Sequence, residues 1–182
     1  MKYKLIKQRR YCCVPAVLSM ILDRRKIKHG TQENIGCELG LIVPKEKAHL
    51  FKKARTGKKP PAGYGVQISK NDCSINDYFI RHNIPLEEKF YPLEKIKNIK
   101  NFITENLKND NDIIVCFNNK LLFGVGDCGH VSLIENINNE IITLNNPTRK
   151  KLNKKVKLQK LIKAIKYHGE KNRGGFWIIY AK

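Results

Sequence analysis

The apolar residues of this chain change their repeat about half-way along, and that change limits the folds open to it. In residues 14–25 they recur at Val14, Val17, Leu18, Ile21 and Leu22, the spacing of one helix face. Pro15 falls in the first turn of that helix, where its missing N–H costs nothing. Arg24, Arg25 and Lys26 suit the negative end of the helix dipole. A short second helix is expected after Thr31, which can cap it, with Gly40 as its stop. Further helices are expected over 73–82, with Ile75, Tyr78 and Phe79 inward, and over 95–107, on Ile96, Ile99, Ile103 and Leu107. From 112 the runs shorten. DIIVCFN at 112–118 reads as a buried strand. HVSLIENI at 130–137 and EIITLNN at 140–146 read as a hairpin turning at Asn138-Asn139, a pair that tolerates positive φ. A last helix is expected over 156–167, then a turn at Gly174-Gly175 and a closing strand over 176–181 anchored by Trp177. Helices first and an antiparallel sheet second make the fold class α+β.

Residues 44–70 break this order. Lys45, Lys47, Lys52, Lys53, Arg55, Lys58 and Lys59 crowd together, and Pro60, Pro61, Gly63 and Gly65 follow. The segment reads as a basic, loop-rich insertion with one helical turn around His49 to Lys53. A length of 182 residues suits a single domain, and 41% hydrophobic residues are enough for a core. No apolar run approaches the roughly 18–20 residues of a membrane span. The basic N-terminus leads into no long apolar segment, so a cytoplasmic location is expected.

Charge is the strongest compositional feature. Lys and Arg total 36 against 16 Asp and Glu, a net +20. Such a field favours acidic peptides, nucleic acid or anionic lipid. The plainer reading is a solvated lysine surface in a chain also rich in Ile and Asn. Nucleic acid ranks second as a partner, because the few aromatic residues fall mainly at core-periodic positions and form no stacking stripe.

Six cysteines stand at 12, 13, 37, 73, 116 and 128, with no CxxC pair and no metal-ligand spacing; an even count permits disulfides, but without a signal peptide free thiols are expected. A thiol nucleophile needs a lowered pKa, a base within reach and a group that orients the base. Cys13 directly precedes the first helix, where the dipole and nearby Arg9 and Arg10 favour a thiolate. A lone cysteine is otherwise a small buried hydrophobe, and Cys12 is a rival nucleophile. His130 opens a strand after the Gly-rich stretch at 124–129, and Asn146-Pro147 ends its hairpin partner. The two then lie near each other at the open end of the hairpin, where an Asn oxygen can accept the imidazole N–H. Asn145 is the alternative in register, but it belongs to the opposite sheet face. Cys128, two residues before His130, is a weak candidate for a metal cluster with Cys13. Gly63, Tyr64 and Gly65 form either a lid or a surface turn.

Three segments, QRRYCCVPAVLSMIL at 8–22, GHVSLIE at 129–135 and LNNP at 144–147, together resemble papain-like cysteine peptidases. Within that group the pattern is most similar to the bacteriocin-processing, double-glycine leader peptidase-like family. The resemblance spans most of the chain apart from the insertion, and it implies a papain-like domain over residues 1–182. It further implies Cys13 as nucleophile, His130 as general base and then acid, and Asn146 as its orienter. Gln8 and the Cys13 backbone N–H would form the oxyanion hole. No cofactor or metal is called for. The implied substrate is a peptide or protein, cut at a peptide or isopeptide bond, and an acidic one would suit the charge. The chain departs from the pattern at Cys12, where the family has Asp, and at Val14, where it has Gly. Asn146 replaces an acidic orienter, and Gln8 lies closer to Cys13 than is usual. Two other outcomes share the scaffold: an inactive basic binding module and an acyltransferase.

Overall fold

In the computed structural model the described residues are 3–60, 63–148 and 153–182. The helices are α1 (Cys13–Arg24), α2 (Gln32–Glu38), α3 (Ile75–Arg81), α4 (Ile99–Lys108), α5 (Asn119–Phe123) and α6 (Leu158–His168). The strands are β1 (Ile42–Val43), β2 (Arg55–Thr56), β3 (Leu86–Tyr91), β4 (Asp112–Asn118), β5 (Gly129–Asn138), β6 (Ile141–Asn145), β7 (Asn153–Lys157) and β8 (Gly175–Ala181). Six of the strands form one sheet in the order β3-β8-β4-β5-β6-β7, with every neighbouring pair antiparallel. Among the described residues no helix is long and apolar enough to cross a membrane.

The alternation of β4 builds both sides of the sheet. Ile114 and Cys116 face the helices of the first half, packing with Val17, Leu18 and Ile21 of α1. Ile113, Val115 and Phe117 face the other way, onto Ile103 of α4 and Leu161 and Ile165 of α6. So the N-terminal helices cover one face, as expected, while α4 and α6 cover the second. Helix α1 is buried from Val14 through Leu22, on all sides rather than along one stripe. Its one polar residue in that stretch, Ser19, donates to the Pro15 carbonyl at 2.9 Å. At the far end of α1, Arg24 and Arg25 clamp Asp112, which is fully buried at the start of β4, and Tyr3 donates to the same carboxylate at 2.7 Å.

Several boundaries differ from the sequence reading, each for a local reason. Thr31 caps α2 and Ser74 caps α3, the latter in a capping box with Asp77. Helix α4 starts only at Ile99, capped by Asn98, and Leu93–Lys95 is a separate 3-10 turn after Pro92. The helical turn of the basic insertion lies at Lys45–Leu50, not at His49 to Lys53; Phe51 is already extended. The insertion also holds β2, which pairs in parallel with β1 just before it. Residue Val156 belongs to strand β7, so α6 begins two residues later than its apolar pattern implied. Strands β3 and β7 and helix α5 are additions to the expected elements.

The hairpin turns at Asn139-Glu140 rather than Asn138-Asn139, since Asn138 pairs with Ile141 and Asn139 takes the positive φ of 53°. A bulge between Ile134 and Asn136 takes back part of that slip. Leu133 therefore pairs with Asn145, and Asn146 follows on the opposite face, toward the open end where β5 begins with Gly129 and His130.

Candidate active site

The two adjacent cysteines are separated by the backbone. Tyr11 adopts a left-handed φ of 64° just before α1, and the chain enters the helix with Cys12 and Cys13 directed to different places. Cys12 is wholly buried, in a small cluster with Leu41 and Val43 beneath the basic insertion. Burial pushes its thiol up to about 12. Cys13, the first residue of α1, lines a cleft with His130.

The expected thiolate at Cys13 is not what the surroundings favour. Burial pushes this thiol up to about 11. The backbone N–H groups of Val14, Val131 and Cys13 itself act in the opposite direction, as a helix N-terminus should, but they are outweighed. Arg9 does not help, because its guanidinium is committed to Glu33 at 2.7 Å. At neutral pH the thiol is protonated.

His130 is buried, and Nε2 lies 2.8 Å from Asn146 Oδ1. The orientation of that amide is set by a second donor: the Thr148 backbone N–H reaches the same Oδ1 at 3.1 Å. An oxygen that accepts both bonds requires the proton on Nε2, which leaves Nδ1 of the neutral ring as an acceptor. The ring packs edge-on against Phe117, with centroids 5.6 Å apart. Burial holds the imidazole pKa below its usual 6.5, and the Asn146 bond partly opposes this. The pair thus stands as a neutral thiol and a neutral base, a state from which proton transfer can accompany attack.

Gln8 lines the same cleft. Its backbone N–H bonds to the Pro147 carbonyl at 2.8 Å, which ties the N-terminal segment to the end of the hairpin. Its side-chain oxygen is buried without a hydrogen-bond partner among the described residues. Asn145 is fully buried on the sheet face away from His130, and neither of its amide atoms has a partner among the described residues. Cys128 is exposed on the wall of the cleft. Among the described residues no group of three His, Cys, Asp or Glu side chains is placed to hold a metal ion.

The cleft is two hollows that meet at Cys13 and His130. One, of about 290 Å³, is apolar at its base, with Val14, Val66, Ile68, Val131 and Trp177. The other, of about 750 Å³, has a mixed lining that includes Gln8, Arg10 and Asn118 beside Tyr11 and Tyr167. Tyr64 and Gly65 of the insertion wall the cleft, and Tyr11 meets Tyr64 edge-on at 5.9 Å. Two residues of the cleft had no signal in the sequence. His168, at the end of α6, packs directly on Gly129; a Cβ there would stand 2.5 Å from its ring, so any side chain before His130 would displace the His168 imidazole. Arg173 lines the smaller hollow from a turn whose position depends on β3 and β8.

No family model matches the chain, and no curated protein matches it. Solved structures do. A Bacillus anthracis chain described as a C39-like peptidase superposes with a TM-score of 0.62 at 13% identity, over 98% of this chain and 94% of that one. A double-glycine motif protease from an AMS/PCAT transporter, solved in complex with the leader peptide, superposes with a TM-score of 0.53 at 16% identity, over 100% of this chain and 93% of that one. The chain therefore has the papain-like fold of the C39-type cysteine peptidases, with helices on an antiparallel six-stranded sheet.

Proposed function

We propose that this chain is a cysteine peptidase in which Cys13, His130 and Asn146 act together. The observation that carries the reading is the Nε2–Asn146 bond, which leaves Nδ1 unprotonated on a ring that lines the same cleft as Cys13. Cys13 Sγ attacks the scissile carbonyl while its proton passes to His130 Nδ1. The oxyanion is met by the Cys13 backbone N–H and by the Gln8 side-chain amide. The imidazolium then gives its proton to the leaving amine, and a thioester to Cys13 remains. Water, deprotonated by His130, releases the acid and restores the thiol. Asn146 keeps the ring in the right tautomer throughout and strengthens its bond while the ring is charged.

The substrate is a peptide or protein segment. A structure of the same fold holds a leader peptide, and the net charge of +20 favours an acidic sequence. A second reading is an inactive scaffold that binds nucleic acid or an acidic partner through its lysine surface. Val14, beside the thiol in place of the small residue of the family pattern, and the raised Cys13 thiol favour it.

The test is incubation with a proteome-derived peptide library, with new termini read by mass spectrometry. Wild type and Cys12→Ala should cleave at the same sites, while Cys13→Ala and His130→Ala should be silent. Cleavage that survives in Cys13→Ala, or none by folded wild type, would overturn the reading.

A further inference from the structure

We propose that the smaller hollow beside Cys13 binds an acidic side chain of the substrate, with Lys70, Lys171 and Arg173 as its cationic wall. The inference rests on the peptidase reading and adds a specificity site to it. All three residues line the hollow, and no Asp or Glu among the described residues does. Arg173 is the fixed element. Its guanidinium lies between the rings of Phe90 and Trp177, at 5.0 and 5.1 Å from their centroids. Its Nη2 bonds Glu88 at 2.7 Å, and the Trp177 indole N–H donates to its carbonyl at 3.0 Å. One further donor, Nε, is buried with no partner among the described residues. Glu88 stands outside the lining of the hollow, so it holds the guanidinium in place and offsets only one of three charges.

Lys70 and Lys171 complete the wall from two separate segments of the chain. Lys70 comes from the chain just after Tyr64 and Gly65, and Lys171 from the turn after α6. Both are exposed, and neither has an ion pair among the described residues. The apolar base formed by Val66, Ile68 and Val131 suits the methylene stem of a Glu or Asp, and the rim suits its carboxylate. A residue advances the chain by roughly 3.3–3.6 Å, so the acidic residue falls within about three positions of the bond that Cys13 attacks.

The experiment uses the same peptide library and then paired substrates that differ only as Glu or Gln at the selected position. Wild type should enrich Asp and Glu at one position within three residues of the cut, with the Glu substrate at least about tenfold better in kcat/KM. Lys70→Gln with Lys171→Gln should bring that ratio close to one. Lys160→Gln with Lys163→Gln, an equal charge loss on the exposed side of α6, should leave the ratio unchanged. Cleavage without acidic preference, or a ratio that falls equally in both double variants, would overturn the pocket while leaving the peptidase reading intact. Absence of all cleavage would overturn the peptidase reading instead. The pocket is then tested on the Cys13→Ala protein by affinity selection from N-acetyl tripeptide amides, where equal retention of Glu and Gln members would overturn it.

Discussion

Replacing Asn146 by Ala removes the group that accepts both the His130 Nε2–H and the Thr148 N–H. The imidazole is only 5% exposed, so no water takes over freely. A hydrogen bond from a neutral donor contributes about 0.5–1.5 kcal/mol, and one from a charged donor about 1.5–3 kcal/mol. The bond is therefore worth about 1–1.5 kcal/mol more when the ring is an imidazolium, and at about 1.4 kcal/mol per tenfold this is roughly a tenfold loss in rate. Freedom of the ring to take the other tautomer adds to it, so kcat/KM should fall about ten- to a hundredfold. Asn145→Ala is the matched control. It is the neighbouring residue and the same substitution, on the face away from His130, and it removes an amide with no partner among the described residues. Its kcat/KM should stay within about threefold of wild type. Imidazole NMR titration supplies a reading independent of any substrate. The Asn146 bond holds the His130 pKa up against burial, so Asn146→Ala should lower it further below 6.5, and Asn145→Ala should not. Loss of activity in Asn145→Ala, or no effect from Asn146→Ala in either assay, would refute the assignment.

Two further outcomes follow from the same chemistry. Asp112→Ala leaves Arg24 and Arg25 without the buried carboxylate that holds them and frees the Tyr3 hydroxyl, so chemical denaturation should show a loss of about 3–5 kcal/mol; a loss under about 1 kcal/mol would show that the cluster is not coupled to folding. His130 and His168 both have pKa values held below 6.5 by burial. The unfolded chain therefore takes up protons first as pH falls through about 6.5, and Tm should decline below that pH and stay flat with respect to these groups above it. A Tm that rises on acidification from 7 to 5.5 would contradict the buried neutral state of both rings.

What the sequence disclosed and what it hid divide along the reach of each interaction. Helix α1 was readable because its apolar residues recur within one segment. The proximity of His130 and Asn146 was readable because a hairpin brings its own ends together. The turn slid by one residue and a bulge recovered part of the slip, and neither detail separated the pair. Strand β3 was missed because LEEKFY carries three charges in six residues. Its alternation is regular, with Leu86 and Glu88 inward, but an inward Glu reads as loop until Arg173, 85 positions away, is known to meet it. Strand β7 was hidden in a lysine-rich run for a similar reason: it is an edge, where one side of the ladder faces solvent and lysines are tolerated.

The thiol shows the same division in its energetics. The helix N-terminus at Cys13 is a local feature and was read correctly, and its N–H groups do lower the pKa. Desolvation is the larger effect, and it comes from chain that is distant in sequence: β5, the turn after α6 and the segment at 64–70, which close over the start of α1. That closure gives the basic insertion a physical role. It buries Cys12 against Leu41 and Val43, so one of two adjacent thiols becomes core, and it walls the cleft with Tyr64 and Gly65, so the other lines a partly dry site together with His130. In such a site a protonated Cys13 with a neutral His130 is a workable starting state. In the proposed mechanism the base receives the proton only as the new carbon–sulfur bond forms, and the low dielectric that opposes a resting thiolate strengthens every hydrogen bond to the charge that then develops.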